Sequence, residues 1–230
     1  MRCDLMAEKT DELFVATKTS EKIILDVCGG TGAWSNPYAD AGYEVRNITL
    51  PECDVRTYKP PRHVYGILAA PPCQQFSFAK TTGAPRDLVA GMEIVTACLK
   101  IIWKCQYNLK SPLAKETPLK FWALENPRGL LRRFLGKPAF EFNPYDFGDE
   151  YQKHTDVWGY FNEPKKSPVK LSAKLKELHK TNSQPLAKYM KFDRLKTKEI
   201  HGEYYGKLTR TERRAITPKG FAQAFFEANQ

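Results

Sequence analysis

Apolar positions along this chain follow two rhythms, short continuous runs cut off by glycine or proline and one long stretch at helical spacing. Ile23-Ile24-Leu25-Asp26-Val27 is a β-branched apolar run stopped by Cys28-Gly29-Gly30-Thr31-Gly32, which predicts a buried strand entering a tight glycine turn. Residues 33–41 predict a short helix broken near Asn36-Pro37 and ended at Gly42. Strands are expected over residues 43–50 and 64–70, the second ending abruptly at Pro71-Pro72. Leu88, Met92, Val95, Leu99 and Ile102 recur at helical spacing, so a long helix capped by Asp87 should run to residue 106. A fourth strand over 121–124 should end at Glu125-Asn126-Pro127, and residues 147–161 suggest a turn with a short strand or two. Thr217-Pro218 suits the N-cap and first turn of a closing helix over 219–228, with Phe221, Ala224 and Phe225 facing the core. Strand, glycine turn, helix and strand in succession predict an α/β fold, a parallel sheet covered by helices, to which the chain returns at its end.

At 230 residues and 42% hydrophobic content the chain suits one ordinary domain with at most a modest insertion, which excludes disorder, coiled coil and collagen. No run approaches the roughly 20 apolar residues of a membrane span, and the first 20 residues lack a signal peptide's apolar stretch. A cytoplasmic protein without a membrane partner is therefore expected. Six cysteines show neither a CxxC pair nor a histidine at metal spacing, so we expect free thiols, no metal and no disulfide framework. The net charge of +10 is unevenly placed: residues 151–230 hold 17 Lys and Arg against 8 Asp and Glu. Residues 162–200, lysine-rich and interrupted by Pro164, Pro168 and Pro185, form the candidate binding arm. On charge alone, a polyanion-facing surface and a solvated basic face kept for solubility are equally good readings.

Ligands of open parallel sheets bind beyond the carboxyl ends of the strands, and three such ends are unusual here: 26–32, 70–77 and 125–127. The glycine turn leaves room for an adenosine or amino acid group, although by itself it equally fits a plain tight turn. Cys73, held by two prolines, is a potential nucleophile, whereas an isolated cysteine is more often a small buried hydrophobe. Glu125 on the neighbouring strand end changes the balance. A carboxyl in a partly desolvated pocket has a raised pKa and can protonate a ring nitrogen while a thiolate adds to the ring. Together the two suggest covalent activation of a heterocycle.

Pro72-Cys73-Gln74-Gln75-Phe76-Ser77 matches the Pro-Cys-Gln-x-Phe-Ser signature of the cytosine-C5 DNA methyltransferases, and Glu125-Asn126-Pro127 resembles their Glu-Asn-Val motif. Asp26 to Gly32 is similar to the family's glycine-rich S-adenosylmethionine turn, and the order and spacing of the three also fit. The resemblance covers residues 20–160 and, more weakly, the terminal helix. It implies a Rossmann-like class I methyltransferase sheet with helices on both faces: a catalytic domain over 1–161, a small basic target-recognition insertion over 162–210, and a returning helix in 211–230. Cys73 would add to C6 of cytosine while Glu125 protonates N3, with His154 as a weaker positive partner. S-adenosylmethionine would lie along Asp26, Val27, Cys28, Gly29, Gly30, Thr31, Gly32, Leu50, Asp54, Val55 and Pro72. Substrate contacts would come from Gln74, Ser77, Lys80, Arg86, Asn126, Gln152, Lys165 and Lys166, with the loop 78–86 closing over the target.

The chain departs from the family in two places. The Gln-x-Arg-x-Arg motif appears only as Gln152-Lys153-His154-Thr155-Asp156, and the second strand ends in Thr49-Leu50 where an acid would hold ribose. Double-stranded DNA is the expected partner. An RNA cytosine-C5 methyltransferase and a catalytically silent nucleic-acid-binding protein of the same fold remain the alternatives. The short, lysine-dominated insertion favours phosphate contacts over base-edge readout, hence limited or short-site specificity or help from another subunit.

Overall fold

The computed structural model describes residues 22–78, 80, 83–107, 119–149, 151–168 and 206–230. Most of the expected basic insertion, with Tyr189 and Phe192, therefore lies outside the described residues, as do Ala79, Thr81 and Thr82 of the loop after Cys73.

Six strands form one mixed sheet: β1 (Ile23–Val27), β2 (Glu44–Ile48), β3 (Gly66–Ala69), β4 (Phe121–Pro127), β5 (Phe140–Phe142) and β6 (Thr155–Tyr160), in the order β2-β1-β3-β4-β6-β5. The first four are parallel, as the apolar runs predict, while β6 runs antiparallel to β4 and β5 antiparallel to β6. A wholly parallel sheet is thus corrected at one edge. Antiparallel neighbours need only a short connection, and the sequence from β5 to β6 supplies a single 3-10 turn, Pro144–Phe147, where a parallel crossover would need a helix. The partner strand also lengthens β4. Pairing of Glu125 with Val157, Asn126 with Asp156 and Pro127 with Thr155 carries the strand three residues past its expected end.

Alternation along each strand divides the core between two faces. Leu25, Val27, Ile67, Ala69, Leu124 and Trp158 meet the long helix α2 (Leu88–Gln106) through Val95, Cys98, Ile101 and Ile102. Asp87 caps that helix as expected, accepting from the Ala90 N–H at 2.9 Å. On the opposite face Ile24, Leu68, Phe121, Ala123 and Val157 meet α1 (Asn36–Asp40) and the terminal helix α5 (Lys219–Ala228). Pro37 stands in the first turn of α1 and so begins the helix instead of breaking it.

Phe221 and Phe225 of α5 are fully buried among Phe142, Trp34 and Phe121, and a buried phenylalanine contributes roughly 1.5–3 kcal/mol. Ala222 is also buried there, and Ala224, half-buried, packs against the same cluster. Thr217 makes no capping bond to α5, whose N-cap is Pro218. A capping box at Thr209 and Glu212 instead starts the short helix α4 (Arg210–Ala215), and a further short helix, α3 (Arg132–Leu135), lies earlier in the chain. Asn229 exchanges two hydrogen bonds with the Asn162 backbone, fastening the end of the chain beside β6. Among the described residues no helix is long and apolar enough to cross a membrane.

Candidate active site at the carboxyl ends of the parallel strands

The chain leaves β1 toward β2 on one side and later enters β3 on the other, so the order reverses between β1 and β3. In open α/β sheets, ligands bind beyond the strand ends at such a reversal. The glycine turn and the Pro71-Pro72-Cys73 loop flank this point, and Ala70 N–H donates to the Val27 carbonyl at 2.9 Å. Register places Val27 beside Ala69 and Ala69 beside Leu124, so Glu125 and Asn126 emerge one step beyond the parallel ladder, next to that loop. Asn126 Nδ2 donates to the Pro71 carbonyl at 2.9 Å, locking β4 to the loop that carries Cys73. Its amide is spent on backbone, while its Oδ1 has no hydrogen-bond partner among the described residues.

Cys73 is half-buried and Glu125 is buried. Burial pushes the Cys73 thiol up; Lys153 and Arg214 oppose that shift and Glu125 adds to it. Burial likewise pushes the Glu125 carboxyl up, with Lys153 opposing. The thiol, the carboxyl and one ammonium group thus act on one another electrically. Glu125 Oε2 finds no hydrogen-bond partner among the described residues, and leaving a buried carboxyl oxygen unmatched costs about 1–3 kcal/mol.

Lys153 was not singled out by the sequence reading, which gave the positive role to His154. Backbone geometry separates the two. Arg128 N–H donates to the His154 carbonyl at 2.9 Å, continuing the β4–β6 ladder, and directly paired residues share a face. Glu125, Val157 and Lys153 therefore face one side, and Asn126, Asp156 and His154 the other. His154 Nε2 lies 3.0 Å from Glu141 Oε2, inside a cluster in which Arg132 clamps the fully buried Asp156. Period-2 alternation from Gln152 was the available signal. Asp156, at the motif's second arginine position, is the acceptor of that clamp, and Gln152 is half-buried at a bridge position before β6.

The glycine turn folds over Asp26. A Cβ on Gly29 would stand 2.3 Å from the Asp26 carboxyl carbon, so only glycine fits, while space above Gly30, at φ +56°, is open. Ser35 Oγ donates to Asp26 Oδ2 at 2.6 Å, and Oδ1 has no hydrogen-bond partner among the described residues. Burial pushes the Asp26 carboxyl up to about 6, with the Ser35 bond opposing. Val27 is core, Cys28 and Thr31 are half-buried, and Gly32 N–H closes the turn on the Gly29 carbonyl at 2.9 Å.

The remaining expected cofactor positions are less uniform. Leu50 and Pro72 are exposed. Asp54 is bound by its neighbour Arg56, whose guanidinium holds the carboxyl below its usual range. Val55 is buried and lines a groove of about 620 Å3 with Leu88, Met92 and Phe134, which neither Cys73 nor Glu125 touches.

Several expected substrate residues are engaged within the protein. Arg86 donates to the carbonyls of Gln75, Ser77 and Lys80 at 2.9–3.0 Å, so it staples the loop after Cys73 and does not extend toward a target. Lys166 pairs with Asp146 at 3.0 Å. Ser77 bridges to Gly129, Lys80 is half-buried, and Gln74 and Lys165 are exposed. Cys53 is disulfide-bonded, which corrects the expectation that every thiol is free, whereas Cys28, Cys73, Cys98 and Cys105 are free. Glu141, His154 and Asp156 place ligand atoms within 4.8 Å of one another, but Arg132 already supplies the positive charge between them. In comparisons with known proteins, no family model and no curated sequence matches the chain.

Proposed function

We propose that the chain is an S-adenosylmethionine-dependent methyltransferase of Rossmann-like fold that modifies C5 of cytosine in DNA. The observation that carries this reading is the buried Glu125 carboxyl, whose Oε2 has no hydrogen-bond partner among the described residues and whose charge raises the Cys73 thiol, near the reversal point of the sheet. A structural carboxyl would be expected to have its hydrogen bonds satisfied, whereas one kept for a ligand is completed only when the ligand arrives.

Cys73 Sγ adds to C6 of the ring as the nucleophile. Glu125, held toward the neutral acid by burial, gives its proton to N3, so electron density moves to C5. Lys153 and Arg214 favour the thiolate against the cost of burial. After C5 is alkylated and loses its proton, Cys73 leaves and the ring becomes aromatic again. The base must be turned out of its duplex to reach Cys73 and Glu125, at a cost of a few kcal/mol.

The turn suits a cationic cofactor, with open space over Gly30 and a buried Asp26 oxygen that has no donor among the described residues. When bound, S-adenosylmethionine supplies the electrophilic methyl group. Asp26, Gly29 and Gly30 would hold it.

Trapping tests the proposal. Duplex DNA synthesised with 5-fluorocytosine at every cytosine should form a denaturation-resistant adduct in the presence of S-adenosylmethionine, because fluorine cannot leave as the C5 proton does. Cys73→Ala should give none. An adduct with fluorinated tRNA alone would move the substrate to RNA, and none with either nucleic acid would sink the enzyme reading.

A further inference from the structure

Cys28 and Cys98 are not used by the proposed reaction, yet their sulfurs stand 3.9 Å apart, one in the glycine turn and the other 70 residues later on α2. Cys28 is the one described non-glycine residue with positive φ, at 58°. That region disfavours an L side chain. Glycine would relieve the strain, and the backbone alone gives no reason for cysteine. We propose that Cys28 and Cys98 are an oxidisable dithiol, a modification site that hydrogen peroxide closes to a disulfide, tying the turn to α2 and weakening ligand binding at the turn. The effect on ligand binding rests on the function proposed above; formation of the bond does not.

Cys28 is half-buried and meets the oxidant first, while Cys98 is fully buried behind it. In the first step the Cys28 thiol and hydrogen peroxide give a sulfenic acid and water. In the second the Cys98 sulfur attacks the sulfenic sulfur, its proton leaves with the hydroxyl as water, and the S–S bond forms. The two thiols lose two electrons, and the peroxide oxygens gain them.

Bonding brings the sulfurs from 3.9 Å to about 2.0 Å. On one side α2 is set against the sheet by Val95, Ile101 and Ile102. On the other, Gly30 and Gly32 follow Cys28 with positive φ, and the space at Gly30 is open, so most of the displacement falls on the turn.

The test treats the intact protein with hydrogen peroxide and maps its tryptic peptides. Residues 23–46 and 87–100 should appear as one species, two hydrogens lighter than their sum and separated by dithiothreitol. S-adenosylhomocysteine affinity, measured by calorimetry, should fall about tenfold or more in the oxidised protein and recover on reduction. Cys98→Val, with Cys98→Ala as the smaller replacement, should lose both the cross-link and the peroxide effect. Absence of the cross-linked species overturns the dithiol, and a cross-link that leaves affinity unchanged overturns its control of the turn. If the reduced protein does not bind S-adenosylhomocysteine, the cofactor reading fails, while the peptide map still decides the dithiol.

Discussion

Glu125 on β4 and Asp156 on β6 are both buried carboxyl groups, one residue out of register on adjacent antiparallel strands and pointing to opposite faces. Asp156 is matched by Arg132 through two charge-assisted hydrogen bonds, and Glu141 and His154 extend the network. Among the described residues Glu125 keeps one oxygen unmatched and has only the field of Lys153 to offset its burial. A folded chain can bury a carboxyl either by satisfying it or by leaving it for something not yet bound. The contrast separates a structural ion cluster from a candidate reactive site within one pair of strands.

The largest effect should come from Glu125. Glu125→Gln removes the proton donor while retaining the shape, so the rate of adduct formation with fluorinated DNA should fall by about 10²–10⁴ with little loss of stability. A rate near that of the parent would place Glu125 with Asp156 as a structural carboxyl.

Arg132→Leu makes the opposite cut. It strands the buried Asp156 charge, and removing one partner of such a pair costs about 3–5 kcal/mol, a fall in melting temperature on the order of 10 °C. Thermal denaturation checks this, and Arg132→Leu with Asp156→Leu together should recover much of the loss.

Asp26 sharpens the comparison through pH. Its folded value of about 6 exceeds the ordinary 3.8, so between these values the native state binds more protons than the unfolded state and stability falls as pH rises. Asp26→Asn should therefore gain on the parent across that window, by roughly 2–3 kcal/mol at pH 7, as read from urea midpoints at pH 4.5, 6 and 7. Glu125, also raised, contributes with the same sign.

The smallest pair of effects distinguishes neighbours. Lys153→Gln should slow adduct formation about tenfold and move its pH dependence to higher pH, because the ammonium lowers the Cys73 thiol. His154→Gln should leave the adduct rate unchanged and cost less than about 1 kcal/mol, since its partner Glu141 is half-exposed and still held by Arg132.

The parallel half of the sheet was legible because its signals are local. Apolar runs ended by Gly29-Gly30 and Pro71-Pro72 marked β1 and β3, and the spacing from Leu88 to Ile102 marked α2 with Asp87 as its cap. The antiparallel edge was not. Phe140–Phe142 is too short to show a period, and the continuation of β4 through Pro127 depends on pairing with Thr155. The identities of Cys73 and Glu125 as candidate groups were readable from their residue types and their places after strands, but Lys153 was obscured by a one-residue ambiguity that reverses the face of every side chain.

What the amino-acid order determined by itself was the set of elements and the chemical kinds available at their ends, because propensity, periodicity and chain breaks act over a few residues. Tertiary structure alone decided which of those groups are electrically coupled, which are consumed as staples, as Arg86 and Lys166 are, and which remain without a partner, as Glu125 Oε2 does among the described residues. Burial and pairing join residues tens of positions apart, and desolvation of a carboxyl depends on everything packed around it, which no local stretch of sequence contains.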